Sequence, residues 1–438
     1  MRIFGIDAAR LAALVDEVWP TATADTGASD ACPDVPGGAA RHGAPCQESG
    51  AGGAGEDAPA DRFARGAWST LVEPGDGDAG ALVAALGAPD ALTALVEDWP
   101  ASRILAAVSE RGGSTAERLG SSLPDALARW RPRLRMADTM HAFELAARVG
   151  ARLLIPADAA WPAGVDDLGA HAPLSLWLRG TIEACESLQR SVAIVGARAA
   201  TGYGEHVAME AGAGLVDRGF AIVSGAAYGI DGTAHRTALA SRGSTAAFLA
   251  GGVDRFYPSG HDALLGRIAQ SGAVLSELPC GSAPTKWRFL QRNRLIAAAS
   301  QATMVLEAGW RSGSLNTAGH AAALGRPVGA VPGPVTSPAS AGCHRLIRDY
   351  AAVCVTNAAE MAELVDGLAE PVSAREAAGR SPEQTRVLDA LSGRAARALG
   401  DVAWRCGMSP ASVGSVLGVL QLEGVVAERE HGWVRATR

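Results

Sequence analysis

Short apolar runs alternate with helical stretches between residues 191 and 331, and this alternation constrains the fold more than any other feature. The strand-like runs are residues 191–195, 221–224, 245–250, 273–276, 303–307 and 327–331. The intervening helical stretches are residues 205–218, 231–241, 262–270, 289–299 and 314–324. Nearly continuous apolar strands separated by helices are typical of a parallel sheet covered on both faces. The pattern therefore predicts an α/β domain with a doubly wound, Rossmann-like parallel sheet of about six strands over residues 151–369.

The preceding residues, 1–150, predict a small N-terminal helical domain. Apolar residues recur at helical spacing in residues 5–20, 79–86, 89–97, 102–108, 123–130 and 137–149. Two interpretations are open, a SAM-like or helix-hairpin-helix-like DNA module and a plain packing domain. No Gly-x-Gly hairpin signature stands out, which favours the packing domain.

Residues 21–60 interrupt this helical pattern with a stretch rich in Ala, Gly, Pro and acids. Six acidic residues and one basic residue lie there, so the stretch carries five of the seven net negative charges of the chain. Its only large aliphatic residue is Val35. Such a composition buries too little apolar surface to offset the entropy lost on ordering, which predicts a disordered insert.

The C-terminal residues predict a winged helix over 381–438, joined by a charged linker at 370–380. Helices are expected at residues 382–391 and 399–406, with Ser409 capping a third helix that has Pro410 at its first position. A β-hairpin follows. The recognition helix, residues 410–423, carries no Lys or Arg. Because groove readers and phosphate anchors depend on such residues, we expect this domain to contact protein or to serve regulation.

The rest of the composition bears on cellular location, metal binding and the kind of partner. No apolar run approaches the roughly 18 residues that span a bilayer, and the first residues lack a secretory h-region. Seven scattered cysteines without Cys-x-x-Cys or zinc spacing indicate a reduced, cytoplasmic location and predict no metal. The net charge of −7 does not exclude a nucleic-acid partner, because the field at a site depends on local charge.

The loops after the first two strands carry the residues expected to bind a ligand, since doubly wound sheets bind at the carboxyl ends of their strands. The first loop enters a helix N-terminus, a ready anion site, and Arg198 can grip a phosphate there. The second loop is a similar glycine-bearing turn. The glycine spacing is not the dinucleotide fingerprint, which predicts no nucleotide cofactor. The candidate binding residues of these loops are Gly196, Arg198, Gly202, Tyr203, Gly204, Ser224 and Gly225.

The densest signal is the run KWRFLQRNR at residues 286–294, which holds the only lysine of the chain. From residue 286 to 311 there are five bases and one acid. Cations interleaved with aromatic rings suit single-stranded nucleic acid, since cations follow the phosphates and bases stack on the rings. We expect the run to form a groove together with Arg198. Its candidate binding residues are Lys286, Phe289, Arg292, Asn293 and Arg294.

Catalytic constellations are poor, and we expect no enzymatic activity. There is no Gly-x-Ser-x-Gly, no P-loop and no His-Glu-x-x-His. Glu277 and Glu307 end strands near the predicted groove, but nothing pairs either with a nucleophile. The alternative is a nucleotide-processing enzyme related to the phosphoribohydrolases that cleave N-glycosidic bonds. Residues 307–309, Glu-Ala-Gly, resemble the acidic loop of those enzymes, but their Pro-Gly-Gly-x-Gly-Thr-x-x-Glu motif is absent as a whole. A third interpretation is a scaffold with a vestigial groove, against which the retained basic residues argue.

The motifs of residues 153–364 resemble the bacterial DNA-processing protein A (DprA/Smf) family. The matching blocks, in order, are VGAR at 195–198, YG at 203–204, SGAAYGID at 224–231, AH at 234–235, GGVD at 251–254 with YP at 257–258, RNRLIA at 292–297, EA at 307–308, SGSL at 312–315 with TA at 317–318, and VPG at 331–333. So many blocks in one order make the resemblance specific.

The resemblance implies a recombination mediator that binds single-stranded DNA. It implies protection of incoming strands during natural transformation (competence), loading of the RecA recombinase, and DNA binding as a dimer. By position, Arg198 resembles a phosphate-gripping arginine of the family. Lys286 and Phe289 resemble a lysine and a base-stacking phenylalanine three residues apart. The run 292–294 resembles a strand-contacting motif.

The chain departs from the family pattern at three places. Gly-Ala-Arg stands at 196–198 where the family has Gly-Ser-Arg, which loses one hydroxyl donor. The residues after Pro258 are Ser-Gly-His, where the family often has a basic residue, so either one phosphate contact is weaker or His261 supplies it when protonated. The insert at 21–60 lies outside the usual pattern.

Overall fold

The computed structural model describes residues 8–19, 58–112, 115–367, 382–393, 395–406 and 408–436 of the chain. It divides into two compact units, the first ending at Gly367 and the second beginning at Leu368. The predicted linker at 370–380 and all but the last three residues of the predicted insert at 21–60 lie outside the described residues. The domain boundaries predicted at residues 150 and 369 stay predictions.

Within the described residues, seven helices form the N-terminal part of the first unit. They are α1 (Ala8–Val18), α2 (Ala58–Leu71), α3 (Gly77–Leu86), α4 (Ala88–Val96), α5 (Ala101–Glu110), α6 (Thr115–Trp130) and α7 (Met136–Arg148). Six of them overlap predicted helices, whereas α2 was not predicted, and its first three residues, 58–60, are helical although they belong to the predicted disordered insert. Asp76 caps α3 by accepting from the backbone N–H groups of the first turn, which satisfies donors that the helix leaves unpaired. The last residues of α2 and α6 bring Trp68 and Trp130 edge to face, with ring centroids 5.3 Å apart.

The helices share their core with a nine-stranded sheet. Its strands are β1 (Arg152–Leu154), β2 (Leu176–Gly180), β3 (Ser191–Val195), β4 (Ala221–Ser224), β5 (Thr245–Phe248), β6 (Ala273–Ser276), β7 (Ala302–Val305), β8 (Val328–Ala330) and β9 (Val353–Cys354). The ring of Trp177 on β2 packs edge to face on Phe143 of α7, at 5.4 Å between centroids. The sheet and the helical region are therefore joined by a continuous apolar interior.

The strand order is β1-β2-β6-β5-β4-β3-β7-β8-β9, and the Rossmann-like fold class is confirmed. Strands β3 to β9 pair in parallel, whereas β2 runs antiparallel to β6, and β1 antiparallel to β2. The six predicted strands are all present. The apolar pattern missed β1, β2 and β9 because the outer two are only three and two residues long and β2 ends in Arg179 and Gly180.

Eight helices cover the sheet or connect its strands. They are α8 (Ile182–Glu186), α9 (Gly202–Val216), α10 (Ile230–Ala240), α11 (Asp262–Ser271), α12 (Lys286–Ala298), α13 (Ser314–Ala323), α14 (Ala341–Asp349) and α15 (Ala358–Asp366). From the central β3 the chain adds β4, β5 and β6 on one side, then crosses to β7, β8 and β9 on the other. The loops after β3 and β7 therefore lead in opposite directions, and this switch point leaves a crevice at the carboxyl ends of both strands.

The second unit is a winged helix, as predicted. It contains α16 (Pro382–Ala390), α17 (Leu399–Cys406), α18 (Pro410–Leu422), β10 (Val426–Arg429) and β11 (Gly432–Arg435). The Ser409 side chain caps α18 by accepting from the N–H of Ser412. Val413, Leu417 and Leu420 of α18 are fully buried in the core of this unit. The opposite side of α18 leaves Leu422 91% exposed.

Within the described residues, no single helix is long and apolar enough to cross a membrane. Helices α3 and α4 together are long and apolar enough to span a bilayer, but the chain bends by 109° between them. Leu82 of α3 and Leu92 of α4 are fully buried in the core of the first unit. Their apolar character is accounted for by that packing.

Candidate nucleic-acid interface

A cavity of about 400 Å³ lies at the switch point of the sheet. Four segments line it, one of which is the β4–α10 region with Ala227 and Asp231. The loop after β3 contributes Gly196 and Arg198, the loop after β7 contributes residues 309–314, and α12 contributes Phe289, Arg292 and Asn293. The predicted convergence of Arg198 with the residue 286–294 run is therefore present in the first unit.

Buried Glu307, two residues beyond β7, fixes the loop that carries Arg198. Its carbonyl accepts from the N–H of Ala197 at 2.7 Å. Its carboxylate accepts from the N–H of Thr201 at 2.9 Å and from the Thr201 hydroxyl at 2.6 Å. A Cβ at Gly204 would come within 2.4 Å of this carboxylate, so only glycine fits there. Both oxygens of Glu307 thus hold the β3–α9 loop in place.

Arg198 projects from that loop into solvent and lies against an aromatic ring. Its guanidinium carbon is 5.3 Å from the centroid of Phe289, a cation–π distance. Phe289 is half-buried and packs on Tyr257, with centroids 5.5 Å apart. A second cavity of about 440 Å³ is lined by Arg198, Phe289, Tyr257 and Lys286. Because Arg198 and Phe289 line both cavities, the two form one continuous groove.

Helix α12 has a groove face and an opposite face. Lys286, Phe289 and Asn293 are spaced by three and four residues, which places them on one side of a helix. On the other side, Arg288 pairs with Glu73 at 3.1 Å. Arg294 pairs with Glu277 at 2.7 Å. Glu73 lies in the segment after α2, so the N-terminal helical region anchors α12 through this pair.

The placement of Arg294 corrects one sequence-based expectation. Its side chain is 4% exposed and lines neither cavity of the groove. At about 100° per residue, Arg294 lies roughly 140° around α12 from Phe289. The helical phase therefore directs its guanidinium into the ion pair with Glu277. Arg198 and Lys286 share a groove, whereas Arg294 is a buried structural arginine.

Arg292 is a fixed positive charge at the base of the groove. It is 6% exposed and donates hydrogen bonds to the carbonyls of Gly225, at 2.8 Å, and Phe248. Burial lowers the pKa of Arg292 to about 10, which leaves it protonated at neutral pH, and the neighbouring Asp231 acts in the opposite direction. Burial raises the pKa of Asp231, whose carboxylate accepts from the N–H of Gly225 at 3.2 Å.

The other predicted residues support the loops and line neither cavity. The hydroxyl of Ser224 is buried and donates to the carbonyl of Ile194 at 2.6 Å. A Cβ at Gly225 would come within 2.6 Å of Arg292, so glycine permits the close approach of that guanidinium. The hydroxyl of Tyr203 donates to the carbonyl of Pro332 at 2.6 Å. The remaining predicted residues of these loops, Gly202 and Gly204, form the first turn of α9.

The structure also places three residues that are not among the candidate site residues, Trp310, Arg311 and His261. Trp310 and Arg311 both line the 400 Å³ cavity at the switch point. The sequence places the loop 309–317 in the groove, because it leads from a strand into a helix N-terminus, but it does not single out these two side chains. His261 is 7% exposed, its Nδ1 lies 3.0 Å from the carbonyl of Ala226, and it lines neither cavity, so it does not replace a phosphate contact.

The exposed charges of the groove are positive. Arg198, Lys286 and Arg311 are exposed, and none forms an ion pair with any residue that the structure describes. Asp231 is the one carboxylate among the lining residues, and it is buried beside Arg292. A groove with free cations and a partly exposed ring attracts anionic chains that also carry planar groups.

Comparison with known proteins agrees with this arrangement. The family model described as DNA recombination-mediator protein A matches residues 152–366, which include the sheet and the groove. The model described as DprA winged helix domain matches residues 371–432. A Rossmann-like domain with this groove, followed by such a winged helix, defines the class of DNA-processing recombination mediators.

The individual relatives identify the family. A putative DNA processing protein DprA of Mycobacterium tuberculosis is 48% identical over 305 residues, covering 66% of this chain and 78% of the relative. Protein Smf of Escherichia coli is 37% identical over 293 residues, covering 65% of this chain and 78% of the relative. The chain belongs to the DprA/Smf family. The X-ray structure of DNA processing protein A from Streptococcus pneumoniae superposes with a TM-score of 0.54 at 28% identity, covering 71% of this chain and 97% of that structure.

Proposed function

We propose that the protein is a recombination mediator that binds single-stranded DNA in the groove at the switch point of its sheet. Arg198 and Lys286 hold phosphates, Phe289 stacks a base, and Arg292 supplies a fixed charge beneath the strand. One observation carries the proposal. Two exposed cations without ion pairs in the described chain border one half-buried ring, and all three line one groove. Unpaired bases reach such a ring, whereas those of a duplex are stacked inside it.

The same groove supports a binding function rather than catalysis. Glu307 is the acidic residue that a phosphoribohydrolase-like activity would require here. It is 1% exposed, and both of its carboxylate oxygens accept hydrogen bonds from Thr201. A carboxylate held in this way has a structural role in the loop. We therefore propose that the protein is not an enzyme.

We further propose that the bound strand is handed to the RecA recombinase and that the protein acts as a cytoplasmic homodimer. Family membership supports both statements. Strand protection during natural transformation is the biological setting that the resemblance implies. The winged helix is proposed to contact protein or to regulate binding, because α18 carries no cation to anchor a phosphate.

The proposal is tested by titrating the full-length protein into fluorescently labelled oligothymidylate and into a duplex of equal length, across salt concentrations. We expect tighter binding to the single strand. Arg198→Ala should weaken that binding and reduce the steepness of log K against log salt by about 0.7, the value for one lost phosphate contact to a single strand.

Arg267→Ala is the matched control. Arg267 lies on α11, is exposed, lines neither cavity and has no ion pair in the part of the chain that the structure describes. This variant should bind like the unchanged protein. Equal affinity and equal salt dependence in the Arg198 and Arg267 variants would refute the assignment of the groove.

A further inference from the structure

Two exposed tryptophans lie beside the groove region, in different surroundings. Trp287, on α12, is 58% exposed, and Trp310, in the loop after β7, is 53% exposed. Large aromatic side chains at the surface of a nucleic-acid-binding protein are candidate stacking platforms. The surroundings of each ring decide whether a polynucleotide can reach it.

Trp287 lies outside the groove. It lines a cavity of about 490 Å³ together with the carboxylate residues Glu73, Asp76 and Asp78. Arg118 and Arg129 line the same cavity, and each of the three carboxylates pairs with an arginine. Trp287 lines neither cavity of the groove, so it is poorly placed to stack a base of a strand held there.

Trp310 faces the cationic groove. It lines the 400 Å³ cavity at the switch point with Arg198, Phe289 and Arg311. A strand held by Arg198 therefore passes within the same cavity that Trp310 borders. The two tryptophans thus have similar exposure, but only Trp310 borders a cavity of the groove.

The ring of Trp310 is also supported from one side. The guanidinium carbon of Arg345 lies over it, 5.0 Å from the ring centroid. Arg345 is itself held in place, because it donates to the hydroxyl of Tyr350 at 2.8 Å and lies 4.0 Å from a carboxylate oxygen of Asp349. A ring that is already ordered loses less conformational entropy when a base stacks on it.

We propose that Trp310 is a second base-stacking platform, so that the groove holds one base of the strand on Phe289 and another on Trp310. This inference rests on the proposed function and assigns a further contact within the same groove. Arg345 is a positioning residue, since it acts through the tryptophan ring. Stacking on an indole tolerates every base, so the contact adds affinity without selecting a sequence.

The test compares Trp310→Ala with Trp287→Ala in the full-length protein, using labelled oligothymidylate. Loss of one stacked base should weaken the Trp310 variant about 5- to 150-fold. The salt dependence should stay unchanged, because no phosphate contact is lost. Trp310→Phe should retain most of the affinity, and Trp287→Ala should bind like the unchanged protein. On an oligonucleotide made of abasic sites, Trp310→Ala should have no effect.

The outcomes separate this inference from the proposed function. If Trp310→Ala binds normally while Arg198→Ala and Phe289→Ala weaken binding, Trp310 is not a platform and the groove assignment stands. If all three variants bind normally, the groove assignment fails as well. An equal loss for Trp310→Ala on abasic and ordinary strands, or an altered salt dependence, would also overturn the stacking role. Matching thermal unfolding curves confirm that the variants remain folded.

Discussion

Helix α12 of the Rossmann-like domain and helix α18 of the winged helix are both 13 residues long. Both kinds of domain occur in nucleic-acid-binding proteins, yet only α12 carries side chains that suit a DNA strand. Helix α12 carries one lysine and three arginines, whereas α18 carries no charged residue. The winged helix of the second unit therefore has the shape of a DNA reader without the cations that anchor phosphates. The comparison teaches that a fold positions a site, and that charge and aromatic surface decide what the site binds.

The basic residues of α12 also differ in whether they can reach a bound strand. Arg288 and Arg294 are bound by carboxylates, Arg292 is buried under the groove, and only Lys286 is free to meet a phosphate directly. Counting basic residues in the sequence therefore overstates the contacts of this helix. Arg198, from the loop after β3, is the second exposed cation of the cavity that Phe289 and Lys286 line.

The largest expected effect comes from removing the buried charge of α12. Arg292→Ala leaves Asp231 buried without its neighbouring cation and leaves the carbonyls of Gly225 and Phe248 without this donor. We expect the first unit to lose about 3–5 kcal/mol of unfolding free energy, measured by urea denaturation. Arg267→Ala, at an exposed site, should lose less than about 0.5 kcal/mol. Equal stability of the two variants would contradict a structural role for Arg292.

The second effect is a pH dependence of the unfolding free energy of the first unit. His235 is fully buried, and burial lowers its pKa from 6.5 to about 3. Its Nδ1 lies 2.7 Å from the Thr245 hydroxyl, which itself donates to the carbonyl of Ile222, so His235 is a neutral donor to that hydroxyl. The unfolded state binds a proton below pH 6.5 and the folded state does not.

Stability should therefore fall as the pH drops from 6.5 towards 3, by about 1.4 kcal/mol per pH unit from this residue. His235→Gln should remove that part of the dependence, as measured by unfolding curves at pH 6.5, 5.5 and 4.5. Identical slopes for the variant and the unchanged protein would show that His235 is not the group responsible.

The smallest effect sharpens the comparison of the two helices. Lys286→Ala removes one exposed phosphate contact, so the salt dependence of single-strand binding should become less steep by about 0.7, and Lys286→Arg should restore it. Leu422→Ala, at the exposed end of α18, should leave affinity and salt dependence unchanged. A larger change from the α18 variant than from the α12 variant would reverse the comparison.

The sequence predicts most of this architecture for a physical reason. Strands that are buried on both faces appear in the sequence as apolar runs, and the predicted bounds of the strand Ser191–Val195 are exact. The predicted bounds of the helix Leu399–Cys406 are exact as well. The sequence could not predict β1, which is three residues long, or β2, which ends in Arg179 and Gly180 and so does not form a continuous apolar run. The pairings of β2 with β6 and of β1 with β2 are long-range contacts that the local pattern does not contain.

The site was predictable in part for a related reason. The loops at the switch point follow from the strand order, so Gly196, Arg198 and Phe289 could be placed together. The direction of Arg294 could not be predicted, because it depends on Glu277, which precedes α12 by an intervening loop. The support of Trp310 by Arg345 likewise joins two elements that are 35 positions apart in the numbering.

The most direct test of the central claim is a crystal structure of the full-length protein bound to oligothymidylate. We predict phosphate oxygens within hydrogen-bonding distance of Arg198 and Lys286, one base stacked on Phe289, and no contact between the strand and Arg294. A strand bound along α18, with the groove at the switch point empty, would contradict the account.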